Sequence, residues 1–259
     1  MLTSIARVVG IFTISVVGIL SIVGSGGGGG SSSGSDGTPA PVADQKLGGI
    51  WFGTGTNNLE PDIVKTALVI STDAGEFRFI SSEGVQSVGN LSVIGQELTG
   101  TSVDYAPQGF VFLNGMPTTT GTYSGTIVER ESIEGAWQGS TGEFGDFVLT
   151  YDDRHKIQSS LATVSGTYTG FDEFNVPISS FVVDAAGNIN GSDSFGCIYS
   201  GRIQIIDPAY NVYRINVNAE NCGQLNGSYS GLGGYDPSDS SFTYQIDNSI
   251  NVISNEVYK

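Results

Sequence analysis

With 259 residues, the chain is long enough to bury one or two hydrophobic cores, although only 14% of it is charged. Its 26 acidic residues against 10 basic ones give a net charge of −16, and no window gathers enough Lys or Arg to track a phosphate backbone, which argues against nucleic-acid binding. The single histidine, His155, argues against a Ser-His-Asp hydrolase and a histidine-rich zinc site.

In chain order, the first predicted element is an export signal. Arg7 is the sole charged side chain before an apolar run from Val8 to Gly24, which is interrupted by glycine, serine and threonine. The segment Ile22-Val23-Gly24-Ser25 resembles the lipobox of bacterial lipoproteins, with serine where the lipidated cysteine would stand. A thioether lipid cannot form on a hydroxyl, so the expectation is cleavage and release, or retention by the uncleaved helix. The membrane is then met only through this N-terminal segment. Residues 25–47 are rich in Gly, Ser and Pro and lack apolar periodicity, as in a flexible tether. A tether of about twenty such residues spans roughly 25 Å.

From Gly48 onward, apolar residues recur at every second position and strand-sized runs follow one another about every ten residues. Asp73-Ala-Gly75 and Asp184-Ala-Ala-Gly187 read as hairpin turns. Five strands carry a glycine–any–aromatic–any–glycine pentapeptide, centred on Trp51, Tyr123, Trp137, Tyr168 and Tyr229. In a strand, the aromatic and its two glycines share one face. The ring can therefore cover positions without side chains while the glycines let the sheet bend. The pattern is a device for curving and closing a sheet.

The chain also reads as duplicated. Gly75, Gly84 and Gly89 each stand 112 positions before Gly187, Gly196 and Gly201. This predicts a first β-barrel repeat over 48–152 and a second over 164–259, with one larger sheet system as the alternative. Phe147–Asp152 and Phe242–Asp247 read as matching final strands, which would leave an additional hairpin around Trp137 in the first copy. For the second copy, strands are expected at 164–171, 178–184, 187–194, 197–206, 211–220, 224–231, 241–247 and 250–257. These eight suit an all-β, antiparallel, up-and-down barrel.

The best-determined hairpin runs from Cys197 to Cys222, the only cysteines, and an even pair in an exported chain is expected to form a disulfide. Pairing Ile203 with Ile215 and Ile205 with Tyr213 places the apolar residues on one face. Cys197 then meets Asn221, and a bulge near Ala219–Asn221 is expected to bring the sulfurs together.

Gly49-Ile-Trp51 and Gly166-Thr-Tyr168, each opening a repeat, resemble the G-x-W of the first strand in calycin barrels, the superfamily of lipocalins and the avidin group. Gly75-Glu-Phe77 is similar to an avidin-type second hairpin. The second repeat departs from the motif by using tyrosine. The whole arrangement also resembles exported proteins of Gram-negative bacteria with a glycine tract after the signal. The resemblance implies tandem barrels able to hold a small ligand, without implying which one; no biotin-site set is present.

Catalytic constellations are sparse. His155, in a charged stretch between the repeats, reads as solvated surface. Asp172-Glu173, Asp236 with Asp239, and Glu129 with Glu131 and Glu134 are the carboxylate pairs open to acid–base work or calcium, but none has a calcium-loop spacing. No metal or cofactor is expected. The better ligand-binding candidates are Trp51, Tyr123, Trp137, Tyr168, Tyr199, Tyr213 and Tyr229, whose rings could line a barrel or simply fill it. The expected function is that of a non-enzymatic, extracytoplasmic envelope or surface protein taking a small, partly apolar ligand. The alternatives are a structural or adhesive module with solid barrels and a hydrolase built on the acidic clusters. An outer-membrane barrel is disfavoured by short strands with many serines and asparagines on alternate faces.

Overall fold

A computed structural model describes residues 43–259, so the expected signal segment and most of the expected tether lie outside the described residues. The first barrel is built from β1 (Gly49–Gly55), β2 (Lys65–Ser71), β3 (Glu76–Ser81), β4 (Gln86–Ile94), β5 (Glu97–Tyr105), β6 (Thr118–Val128), β7 (Ser132–Gly139) and β8 (Phe144–Tyr151). The second follows with β9 (Gly166–Phe171), β10 (Pro177–Val183), β11 (Asn188–Asp193), β12 (Ile198–Ile205), β13 (Tyr213–Glu220), β14 (Gly227–Asp236), β15 (Ser241–Asp247) and β16 (Val252–Tyr258). Each strand pairs antiparallel with the next, and each set closes, β8 onto β1 and β16 onto β9. The protein is two tandem closed barrels rather than one larger sheet system.

Alternation of buried and outward residues marks the strands that face solvent on one side. In β13, Tyr213, Ile215, Val217 and Ala219 are buried, while the residues between them face outward. The β12–β13 register pairs Ile203 with Ile215 and Ile205 with Tyr213, as expected. It continues unbroken to Ile198 opposite Glu220, so no bulge intervenes. Instead Asn221 takes a left-handed conformation (φ 59°), which turns the chain and presents Cys222 to Cys197. The two cysteines are disulfide-bonded across a Cα–Cα distance of 4.7 Å.

The duplication holds element by element. Gly75 and Gly187 occupy the second hairpin turn of their barrels at φ 94° and 83°, a conformation that disfavours a side chain. The expected extra hairpin is corrected. Both barrels have eight strands, and Phe242–Asp247 lies in the seventh strand of its barrel, in the place that β7 with Trp137 holds in the first. The last strand of the second barrel, β16, is the counterpart of β8.

All five pentapeptides lie within strands, with the aromatic ring turned inward. A Cβ on Gly49 would collide with the Trp51 indole, so the ring lies over its own glycine. On Gly231, the last residue of the β14 pentapeptide, a Cβ would strike the carbonyl oxygen of Gln245 and lie 2.8 Å from Ile246 Cα. There the backbones of β14 and β15 approach too closely for any side chain. In the first barrel, Gly121 pairs with Gly139, Tyr123 with Trp137 and Gly125 with Gly135, so two pentapeptides face each other directly.

The barrels pack side by side. Ile50, Leu68, Ile70 and Ile80 on the outer face of β1–β3 form one apolar cluster with Val212 and Leu232 of the second barrel. Arg78 is buried between Glu76 (3.0 Å) and Asp247 (3.0 Å), and Gln245 Nε2 donates to Ser87 O (3.2 Å) across the joint. The connection includes a 3-10 turn (Asp153–Lys156) and a short helix α1 (Leu161–Val164). His155 in that turn is only 3% exposed, contrary to the solvated position expected for it. The packing of the barrels explains this: the ring stacks on Tyr210 (4.6 Å between centroids), and Nδ1 is hydrogen-bonded to Tyr151 Oη (2.7 Å).

Candidate functional site: the cavity of the second barrel

A cavity of about 1040 Å³ occupies the interior of the second barrel and continues outward along part of the first. Its inward positions explain its chemistry. At Gly191, Gly201 and Gly231 the place of a side chain is taken by the Phe181 ring or by neighbouring backbone, so the strands close tightly there and the cavity is bounded by the rings and aliphatic groups around them. The wall is formed by Tyr168, Phe181, Val183, Ile189, Tyr199, Ile203, Ile215, Val217, Tyr229, Phe242, Tyr244, Ile246, Ile253 and Val257. It is thus largely apolar with a few hydroxyls, the composition of small-molecule sites.

One end of the barrel is closed and the other is open. At the closed end α1 caps the strands: Val164 is fully buried, and its carbonyl accepts from Tyr168 Oη (2.9 Å). Tyr213 Oη is fixed there too, accepting from Ser160 N (3.2 Å). At the open end the hairpin loops carry Phe174, Phe195, Leu225 and Ile250, all exposed. The disulfide sits on this rim, with both cysteines lining the cavity. The β5–β6 connection of the first barrel, with Pro107, Phe110 and Pro117, forms one side of the entrance. Both barrels therefore build the mouth.

The polar groups inside are few. Asp193 accepts from Phe195 N (2.9 Å), Cys197 N (3.0 Å) and Tyr199 Oη (2.8 Å), so its carboxylate is spent on the rim turn and one tyrosine. Burial raises the Tyr199 phenol above its ordinary range, and the bond to Asp193, which favours the protonated form, raises it further. Burial alone raises Tyr244. These tyrosines remain neutral hydrogen-bonding groups at any physiological pH.

The seven aromatic residues singled out in the sequence divide between the barrels. Tyr168, Tyr199 and Tyr229 line the cavity. Tyr213 is fully buried at the closed end. Trp51, Tyr123 and Trp137 lie in the first barrel, where rings pack on one another. Trp51 meets Tyr151 edge-on at 5.2 Å, and Tyr123 meets Phe77 at 5.5 Å and Phe147 at 6.2 Å. Trp137 Nε1 donates to Thr56 O (3.2 Å). Sequence reasoning passed over Phe181, Phe242, Tyr244 and Asn255, which line the cavity without belonging to a pentapeptide. Their alternation on the expected strands was the signal that could have found them.

The first barrel also has a buried polar end that no motif announced. Ser102 Oγ donates to Asp104 Oδ1 (2.6 Å), and burial raises the Asp104 carboxyl above its usual range. Burial, with Asp104 nearby, pushes the Tyr123 phenol up to about 12. The carboxylate pairs picked out in the sequence are placed otherwise. Asp236 is ion-paired with Arg154, Asp239 accepts from Ser241 N (3.0 Å), and Asp172 accepts from Phe174 N and Val176 N (2.9 Å each). Glu131 and Glu134 are exposed on β7 and its preceding turn. Comparison with family models, curated proteins and solved structures finds no match for this chain.

Proposed function

We propose that this is a non-enzymatic, exported binding protein whose second barrel holds a small, largely apolar molecule, while the first serves as a packed support and forms part of the entrance. The observation that carries the reading is the cavity of about 1040 Å³, closed by α1 at one end and open at a rim of exposed apolar side chains at the other. Burial of apolar surface there would contribute roughly 25 cal/mol per Å². The calycin-like G-x-W openings and the apolar N-terminal run support a lipocalin- or avidin-like carrier in the periplasm or at the cell surface, released or held by its N-terminal segment. The disulfide agrees with an oxidising compartment. Among the described residues no helix is long and apolar enough to cross a membrane.

Native mass spectrometry of protein purified from its source tests the proposal. A non-covalent adduct of small-molecule mass, released by organic solvent, is expected. Protein of bare polypeptide mass that also takes up no apolar dye would overturn it.

A further inference from the structure

On β15 and β16 the cavity wall carries polar groups that face open space. Tyr244 on β15 and Asn255 on β16 are direct cross-strand partners, both turned inward. Among the described residues neither Tyr244 Oη nor Asn255 Nδ2 has a hydrogen-bond partner, and neither is among the sealed, unpaired polar atoms. Asn255 Oδ1 is already engaged, accepting from Glu256 N (2.9 Å), so the amide turns its donor toward the cavity. The next strand round the barrel, β9, presents Gly170, where a Cβ would lie 3.0 Å from Asn255 Nδ2 and would collide with Ser179 Oγ. Ser179 Oγ is itself buried without a partner. Ser179 Oγ and the Asn255 amide thus lie over Gly170, at the seam where β16 meets β9 through only Val257–Gly170 and Tyr258–Thr169.

The charge of the lining narrows what this place would accept. No Lys or Arg lines the cavity. The lining carboxylates are already engaged, Glu83 with Lys65 and Asp193 with Tyr199 and the rim turn. Lys259 is outside the lining, at the closed end, where its ammonium bonds Thr163 O and lies over the Tyr168 and Tyr235 rings. A carboxylate or phosphate entering the barrel would lose its hydration without meeting a countercharge.

We infer that Tyr244 and Asn255 form a subsite for an uncharged hydrogen-bond-accepting oxygen, so that the ligand is a neutral, mainly apolar molecule bearing a carbonyl, ester or hydroxyl group. This rests on the second barrel being a binding vessel. The oxygen would accept from Asn255 Nδ2 and Tyr244 Oη, and the apolar body would lie against Phe181, Phe242 and the aliphatic wall.

The test is competition against bound Nile red at pH 7 with methyl dodecanoate, dodecanoate and dodecane, on the full chain and on a Tyr244→Phe variant. The ester is expected to bind more tightly than dodecanoate, and Tyr244→Phe to weaken the ester about fivefold while leaving dodecane unchanged. An Asn255→Leu variant should do the same and guards against a folding defect in the first. Equal binding of ester and hydrocarbon, unaffected by either substitution, would overturn the subsite and leave the vessel standing. Tighter binding of dodecanoate would overturn the neutral-ligand assignment. If neither the dye nor any competitor bound, the vessel itself would be refuted and the subsite with it.

Discussion

Gly75 and Gly187 hold the same point in the two barrels: the carbonyl of each accepts a 2.8 Å hydrogen bond from the amide 16 residues on, Leu91 and Ile203 respectively. The match extends from sequence spacing to a single backbone bond. One frame is therefore built twice, and the differences lie in what fills it. Rings pack on one another in both, Tyr123 on Phe77 in the first and Phe181 on Tyr199 in the second, and the second also holds the cavity.

That frame depends on strands approaching within backbone contact, and Gly231 is the sharpest case in the second barrel. Gly231→Ala should destabilise by about 2 kcal/mol, since β14 and β15 must separate to admit the methyl group. Thermal denaturation followed by circular dichroism should show Tm falling by at least about 4 °C. An unchanged Tm would mean that the close approach is not needed for closure.

The disulfide pins the loop after β13 to the start of β12 across a sequence separation of 25 residues. Constraint of the unfolded chain predicts a contribution of about 3 kcal/mol. Urea denaturation of the Cys197→Ser, Cys222→Ser double variant should show a loss of that size. The cavity should persist, because the strand register is set by Ile203 and Ile215 rather than by the bridge.

His155 makes the joint between the barrels sensitive to acid. Burial, with Arg130 nearby, lowers its pKa from 6.5 to about 4. The unfolded chain therefore binds the proton more readily than the folded one, and stability falls as pH drops from about 6.5 toward 4. The full difference is about 3 kcal/mol. Comparison of wild type with His155→Phe should show this part of the pH dependence removed, with the slopes converging above pH 7. Identical slopes in the two proteins between pH 4 and 6.5 would contradict the burial of a neutral imidazole.

The fold was legible because its determinants are local and periodic. The alternation of Tyr213, Ile215, Val217 and Ala219 fixes a face, the Asp–Gly turns fix the hairpins, and the glycine spacing of 112 fixes the repeat. Less was legible where long-range packing decides. Nothing near His155 in the chain shows that Tyr210 will cover it, and nothing in β7 shows that it pairs with two neighbours as an ordinary barrel strand. The cavity was half legible. Two of its tyrosines, Tyr168 and Tyr229, stand in the pentapeptides, but whether rings fill a barrel or line it depends on how the side chains of all its strands pack together. The polar wall at Tyr244 and Asn255 depends on a strand register that spacing alone does not give.

The central claim is that the interior of the second barrel is the binding space. It is tested most directly by titrating Nile red into wild type and an Ile253→Trp variant, whose indole would occupy the cavity from β16 without touching the inter-barrel joint. Saturable binding to wild type, lost in a variant that still folds by circular dichroism, is the predicted result. Saturable binding that survives unchanged in Ile253→Trp would place the dye elsewhere and contradict the account.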